Sequence, residues 1–163
     1  MQKIRMIAAI LAASVLGLAT LTFPAAALDA HAGYYYPVPQ TREAYVSELA
    51  PAPDAGKKSR AGFVIGLANK NEEHNFHVGY HLFAKGTDLE KLIIVATGDS
   101  QYDTLYRLRA LLASLTSMAR STEIFARSAQ PQELNFLDFC KLIGFTQVTV
   151  SNGRDIAHQI FVQ

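Results

Sequence analysis

Three groups of residues in this 163-residue chain have types and spacings that could do chemistry. Gly98-Asp99-Ser100 follows directly on an apolar run, a place where many hydrolases keep a nucleophile, and Asp155-Ile156-Ala157-His158 lies near the C-terminus. His74, His77 and His81, with Glu72 and Glu73 beside them, suggest a metal. On a helix that spacing would gather the histidines on one face, as a zinc site requires. On a strand, His77 and His81 stand about 13 Å apart at roughly 3.3 Å per residue. Two ligands of one tetrahedral zinc need nitrogens within about 3.5 Å. His77 to Ala84 reads as strand, so one metal bridging that pair is excluded, and only His158 from another strand could join one of them. Cys140, the single cysteine, falls on an apolar helix face between Phe136 and Ile143 with no cation implied near it. Such a thiol is an inert core residue rather than a low-pKa nucleophile, and it has no partner for an intramolecular disulfide.

The elements that would position these groups follow from hydrophobic periodicity. Leu92 to Ala96 is a continuous apolar, β-branched run that predicts a buried strand. After a polar turn, Leu105, Leu108, Leu112, Leu115 and Ala119 recur at helical spacing, and Asp103 and Arg107 can pair across one turn. Ser100 with Asp103 has the pattern of a capping box, which gives the serine hydroxyl a structural job at the start of that helix. Phe63 to Ala68 alternates and predicts an earlier strand, and His77 to Ala84 a second. Short connections make these and Leu92 to Ala96 an antiparallel meander. A second helix is predicted between Pro131 and Ile143, with Phe136, Phe139, Cys140 and Ile143 inward, Asn135, Asp138 and Lys141 outward, and Gly144 ending it. The chain closes in a hairpin around Asn152-Gly153. A three-residue loop pairing Val150 with Arg154 puts Val148, Val150, Ile156 and Ile160 on one face, and on that register His158 is a hydrogen-bonded histidine at the edge of the core. The expected fold is α+β, an antiparallel sheet of about five strands in the order β-β-β-α-α-β-β with two helices on one face.

Residues 1–32 read as a signal peptide, with Lys3 and Arg5 in a basic start, Met6 to Leu21 apolar, and small-x-small sites ending at Ala27 and Ala32. The apolar stretch is short for a membrane span, which needs about 20 residues. Cleavage after Ala32 leaves 131 of 163 residues, enough for one domain with one core. The chain has 15 Lys and Arg against 14 Asp and Glu; without Lys3, Arg5 and Asp29, 13 of each remain. That balance argues against a nucleic-acid partner, and the only membrane contact expected is through the signal segment during export. Residues 33–60 read as an irregular Tyr/Pro-rich segment and linker, with Thr41 capping a short helical piece that holds Tyr45 and Leu49. Tyr34, Tyr35 and Tyr36 suit either a partner surface or a cover for the protein's own sheet. Residues 61–163 form the single α+β domain.

Gly98-Asp99-Ser100 and Asp155-x-x-His158 resemble the first and last blocks of the GDSL-type (SGNH) esterases. That resemblance implies Ser100 as nucleophile, His158 as base and Asp155 as the acid that orients it. The family's Gly-x-Asn-Asp block is not found between them, and on a strand Asp155 and His158 point to opposite faces. A second resemblance rests on His31-Ala32-Gly33-Tyr34-Tyr35-Tyr36-Pro37, Phe83-Ala84-Lys85-Gly86, Lys91-Leu92-Ile93-Ile94-Val95, Asp103-Thr104-Leu105-Tyr106, Gly144-Phe145, Thr149-Val150-Ser151 and Ala157-His158-Gln159. Over most of residues 31 to 163 the chain resembles small exported proteobacterial proteins often labelled molybdopterin-guanine dinucleotide biosynthesis protein A. The label implies a nucleotidyltransferase, whose glycine-rich phosphate loop has no counterpart here, since Gly62 and Gly66 fall inside the apolar run. The expectation is an exported, periplasmic accessory or binding protein with a protein or small-molecule partner. No catalytic, cofactor-binding or metal-ligating residue is assigned.

Overall fold

The computed structural model describes residues 37–73, 79–98, 100–126 and 132–163, all within the unit Gly33–Gln163. Residues 1–32, expected to be a signal peptide, and Tyr34 to Tyr36, His74, His77, Asp99 and Pro131 lie outside the described residues. The elements run β1 (Thr41–Tyr45), α1 (Lys57–Glu73), β2 (Tyr80–Lys85), β3 (Lys91–Ala96), α2 (Leu105–Arg120), α3 (Glu123–Ala126), α4 (Phe136–Leu142), β4 (Gln147–Ser151) and β5 (Ala157–Val162). The fold is α+β, with a five-stranded sheet ordered β1-β5-β4-β3-β2.

The sheet is mixed rather than antiparallel. β2 and β3 form a hairpin, as do β4 and β5, but β3 runs parallel to β4 and β1 parallel to β5. Parallel neighbours need a long crossover, and α2 to α4 supply it between β3 and β4.

The described residues hold four helices rather than two, in the order β-α-β-β-α-α-α-β-β. Two expected elements take the other secondary structure, and both differences have a physical reason. Phe63 to Ala68 is not a strand but the middle of α1. Arg60, Phe63, Val64 and Leu67 follow the helical period, whereas Gly62, Ile65, Gly66 and Ala68 are exposed. Two glycines inside the helix, each costing about 1 kcal/mol relative to alanine, hid that period behind an apparent alternation. Thr41 to Tyr45 is a strand instead of a helix, so this stretch of the N-terminal segment joins the sheet. β1 lies at the sheet's edge, where charged residues such as Arg42 and Glu43 are ordinary.

Cross-strand pairing sets the core face. Ala84, Leu92, Val148, Ile160 and Glu43 form one row across the sheet, and Leu82, Ile94, Val150, His158 and Thr41 the next. Leu108, Leu111, Leu112 and Leu115 of α2 and Phe136, Phe139 and Cys140 of α4 pack on those rows in one cluster, with Phe63 and Phe125 against them. α4 opens on a capping box made by Asn135 and Asp138 and closes at Gly144, whose φ is +85°. There Phe145 N–H donates to Cys140 C=O and Gly144 N–H to Lys141 C=O, the double bond of a Schellman end. Asp138, expected outside, is buried, because its carboxylate accepts from Ser47 and Tyr45 hydroxyls as well as from the Asn135 N–H. Among the described residues no helix is long and apolar enough to cross a membrane.

Candidate functional site: a cleft with a buried histidine behind it

The rows that are apolar across β2, β3 and β4 turn polar toward β1, the first at Glu43 and the second at His158 of β5 and Thr41. His158 is 1% exposed, and its Nδ1 lies 2.8 Å from Thr41 Oγ1. That agrees with the hydrogen-bonded core-edge histidine read from the sequence. Its Nε2 lies 3.0 Å from Glu43 Oε1 without hydrogen-bond geometry, and it is a buried ring nitrogen with no hydrogen-bond partner among the described residues. Glu43 Oε2 instead accepts from Arg109 Nη2 on α2, with both side chains partly exposed. Nη2 is the one atom of that guanidinium with a hydrogen bond among the described residues.

Glu43 and Arg109 stand beside a cleft of about 280 Å³. Its walls are Leu112 and Ala113 of α2, Ile160 of β5, and Phe136 and Leu137 at the start of α4, with Thr116 and Asn135 as further polar groups. Two sets of hydrogen bonds fix these walls. Thr116 Oγ1 donates to Leu112 C=O and accepts from Phe136 N–H at 3.1 Å, tying α2 to α4. Asn135 Nδ2 donates to Tyr45 Oη, which donates onward to Asp138, tying α4 to β1. Burial raises the Tyr45 pKa above 10.0; the Asn135 bond opposes that shift and Asp138 adds to it.

The residues singled out from sequence each have other partners or surroundings. Ser100 is exposed in the turn before α2, and its carbonyl accepts from Arg107 Nη1 at 2.8 Å. It is not the helix cap: α2 starts at Leu105, and Thr104 caps it by accepting from Arg107 N–H. Arg107 and Asp103 pair at 3.0 Å as their spacing predicts. Asp155 lies in the β4–β5 loop, where Asn152 Nδ2 donates to its carboxylate at 2.7 Å. Asn152 Oδ1 also accepts from the Arg154, Asp155 and Ile156 N–H groups. This staple makes a five-residue loop and pairs Val150 with His158, not with Arg154. Ser100, Asp155 and His158 thus make no hydrogen bonds with one another; the imidazole is engaged with β1.

Thr41, His158 and Glu43 have the residue types of a proton relay but lack its geometry. Nε2 makes no hydrogen bond with Glu43, and Arg109 holds that carboxylate. Cys140 is fully buried, and desolvation, with Asp138 adding to it, pushes its thiol well above the usual value. His81 is exposed on β2, and Gly62 and Gly66 are exposed on α1. Among the described residues no cluster of three or more His, Cys, Asp or Glu could hold a metal ion.

Sequence reasoning missed Thr41, Glu43 and Arg109. The available signal was the alternation of Thr41, Glu43 and Tyr45 with Arg42 and Ala44, which places the first three on one strand face. In comparisons with known proteins, no family model, no curated protein and no solved structure matches the chain.

Proposed function

We propose that this is an exported, non-catalytic binding protein whose ligand is a small molecule seated between α2, the start of α4 and β5. The observation that carries this reading is the convergence of polar groups on an apolar cleft. Apolar walls bury a ligand's body, and a few fixed polar groups beside them orient it. Glu43, Arg109 and Asn135 have that placement. The other hydrogen-bond partners of Ser100, Asp155 and His158 support binding over hydrolysis. The basic, apolar and small-residue pattern of residues 1–32 supports export.

The test is methyl NMR on the mature protein with six-carbon probes: hexanoate, hexylammonium and 1-hexanol. Shifts centred on Leu112, Leu137 and Ile160 are expected from at least one probe. No shift from any of them at millimolar concentration contradicts the binding reading. For export, mass spectrometry of the protein recovered from a secreting host is expected to show a chain starting after Ala27 or Ala32, and a chain starting at Met1 contradicts it.

A further inference from the structure

Charge around the cleft identifies the ligand more closely than shape does, and this inference rests on the binding reading above. Glu43 is the single carboxylate among the cleft's walls, and it is already matched by Arg109. A ligand ammonium would have to compete with Arg109 for it. A ligand carboxylate meets the opposite situation. The guanidinium presents five N–H donors in a planar fork, of which one nitrogen is occupied, so a free edge remains for two-point binding of an anion. Placing a second carboxylate on Arg109 weakens its hold on Glu43. The one other group within reach of Glu43 that can become cationic is His158, whose Nε2 is 3.0 Å away, buried and without a hydrogen bond.

We propose that the cleft binds a small monocarboxylate with an apolar body, and that binding is coupled to uptake of one proton by His158. The ligand carboxylate docks on Arg109 and its hydrocarbon lies against Leu112, Phe136 and Ile160. Glu43, whose Oε1 already lies 3.0 Å from Nε2, loosens from Arg109, and a proton from solvent adds to the imidazole, so that Nε2–H donates to Glu43 Oε1 and Nδ1–H to Thr41 Oγ1. One positive charge arrives with one negative charge, so the site keeps its net charge. The groups that face His158 are consistent with this exchange. β1 presents Thr41 and Glu43, β4 presents Val150 opposite it, α2 brings Arg109 through Glu43, and Asp138 of α4 is held by Ser47 and Tyr45.

Because the bound state carries the extra proton, affinity falls as pH rises. Titration calorimetry of the mature wild-type protein with hexanoate between pH 6 and 8 tests this, repeated in phosphate and in Tris, whose ionisation heats differ. Hexanoate is expected to bind about tenfold or more tighter than hexylammonium or 1-hexanol. Its Kd should rise about tenfold or more across that range, with uptake of up to one proton per ligand. His158→Gln should keep hexanoate binding and lose the pH dependence. If that variant does not fold, the wild-type heats in the two buffers still decide, since equal heats overturn the proton coupling. Equal affinity for the three probes, or preference for hexylammonium, overturns the carboxylate assignment while leaving the binding reading intact. Binding of none of them contradicts the binding reading itself.

Discussion

Arg60 and His158 are both ionisable side chains carried into the interior, 8% and 1% exposed, and the fold treats them in opposite ways. Arg60 spends its fork on backbone carbonyls. Nε and Nη2 donate to Asp88 C=O at 3.0 and 2.8 Å, and Nη1 donates to Ile143 and Gly144 C=O at 3.3 and 2.9 Å. These carbonyls include the unpaired end of α4, where positive charge is favoured. Arg60 therefore ties α1, the β2–β3 turn and α4 together, and nothing is left for a ligand. His158 has one nitrogen satisfied and the other left without a hydrogen bond beside a carboxylate that another residue holds. A buried group with every donor placed is a brace, whereas a buried group with one open position next to a cleft is available for chemistry or exchange. The difference between structural and functional burial here is completeness of hydrogen bonding, not depth.

That contrast can be broken at several places. The largest effect is expected at Arg60→Ala, which removes the charged donors from three carbonyls. It should cost about 3 kcal/mol of unfolding free energy, measured by urea denaturation, with hexanoate affinity of the folded protein unchanged. A loss below about 1 kcal/mol would show that the brace is dispensable. Gly144→Ala attacks the same brace from the other side. Its φ of +85° disfavours a side chain, and a Cβ there would stand 2.5 Å from Arg60 Nη1. A loss of about 2 kcal/mol is expected, and an unchanged melting curve would contradict the close approach.

Tyr45 sharpens the comparison through pH. Its folded pKa is raised above 10.0, chiefly by burial. Its contribution is therefore fully present below pH 10 and is lost as pH rises through the folded value. Unfolding followed from pH 9 to 11 should show a decline that Tyr45→Phe reduces; parallel curves would mean that this hydroxyl does not sense the fold. The smallest effect is expected at Arg107→Ala, which breaks an ion pair whose side chains are 54% and 48% exposed. Such a pair contributes about 0.5 kcal/mol or less, and a larger loss would show that the Ser100 carbonyl contact matters more than its exposure indicates.

How much of this could be read in the sequence depended on how local the cause was. β3 and α2 were readable because an unbroken apolar run and a five-residue leucine and alanine stripe each state their own period. Gly144 marked the end of α4 for the same reason, since a left-handed residue after a helix is a local requirement. α1 was misread because its stripe is short and interrupted by glycines. β1 was misread because an edge strand is held by its partner, β5, more than 100 residues away, not by its own propensity. The site suffered most from this. Glu43 meets Arg109 across 66 positions, and His158 meets Thr41 across 117. No local pattern announces such pairs, while the conspicuous Ser100 is exposed in a turn.

The central claim, that the Glu43–Arg109 cleft is for binding while Arg60 is for stability, is tested most directly by two measurements on Arg109→Gln. Its unfolding free energy should lie within about 1 kcal/mol of wild type, as for a partly exposed ion pair. Its hexanoate affinity should fall by about tenfold or more. An unchanged affinity, or a loss of stability as large as that of Arg60→Ala, would contradict the account.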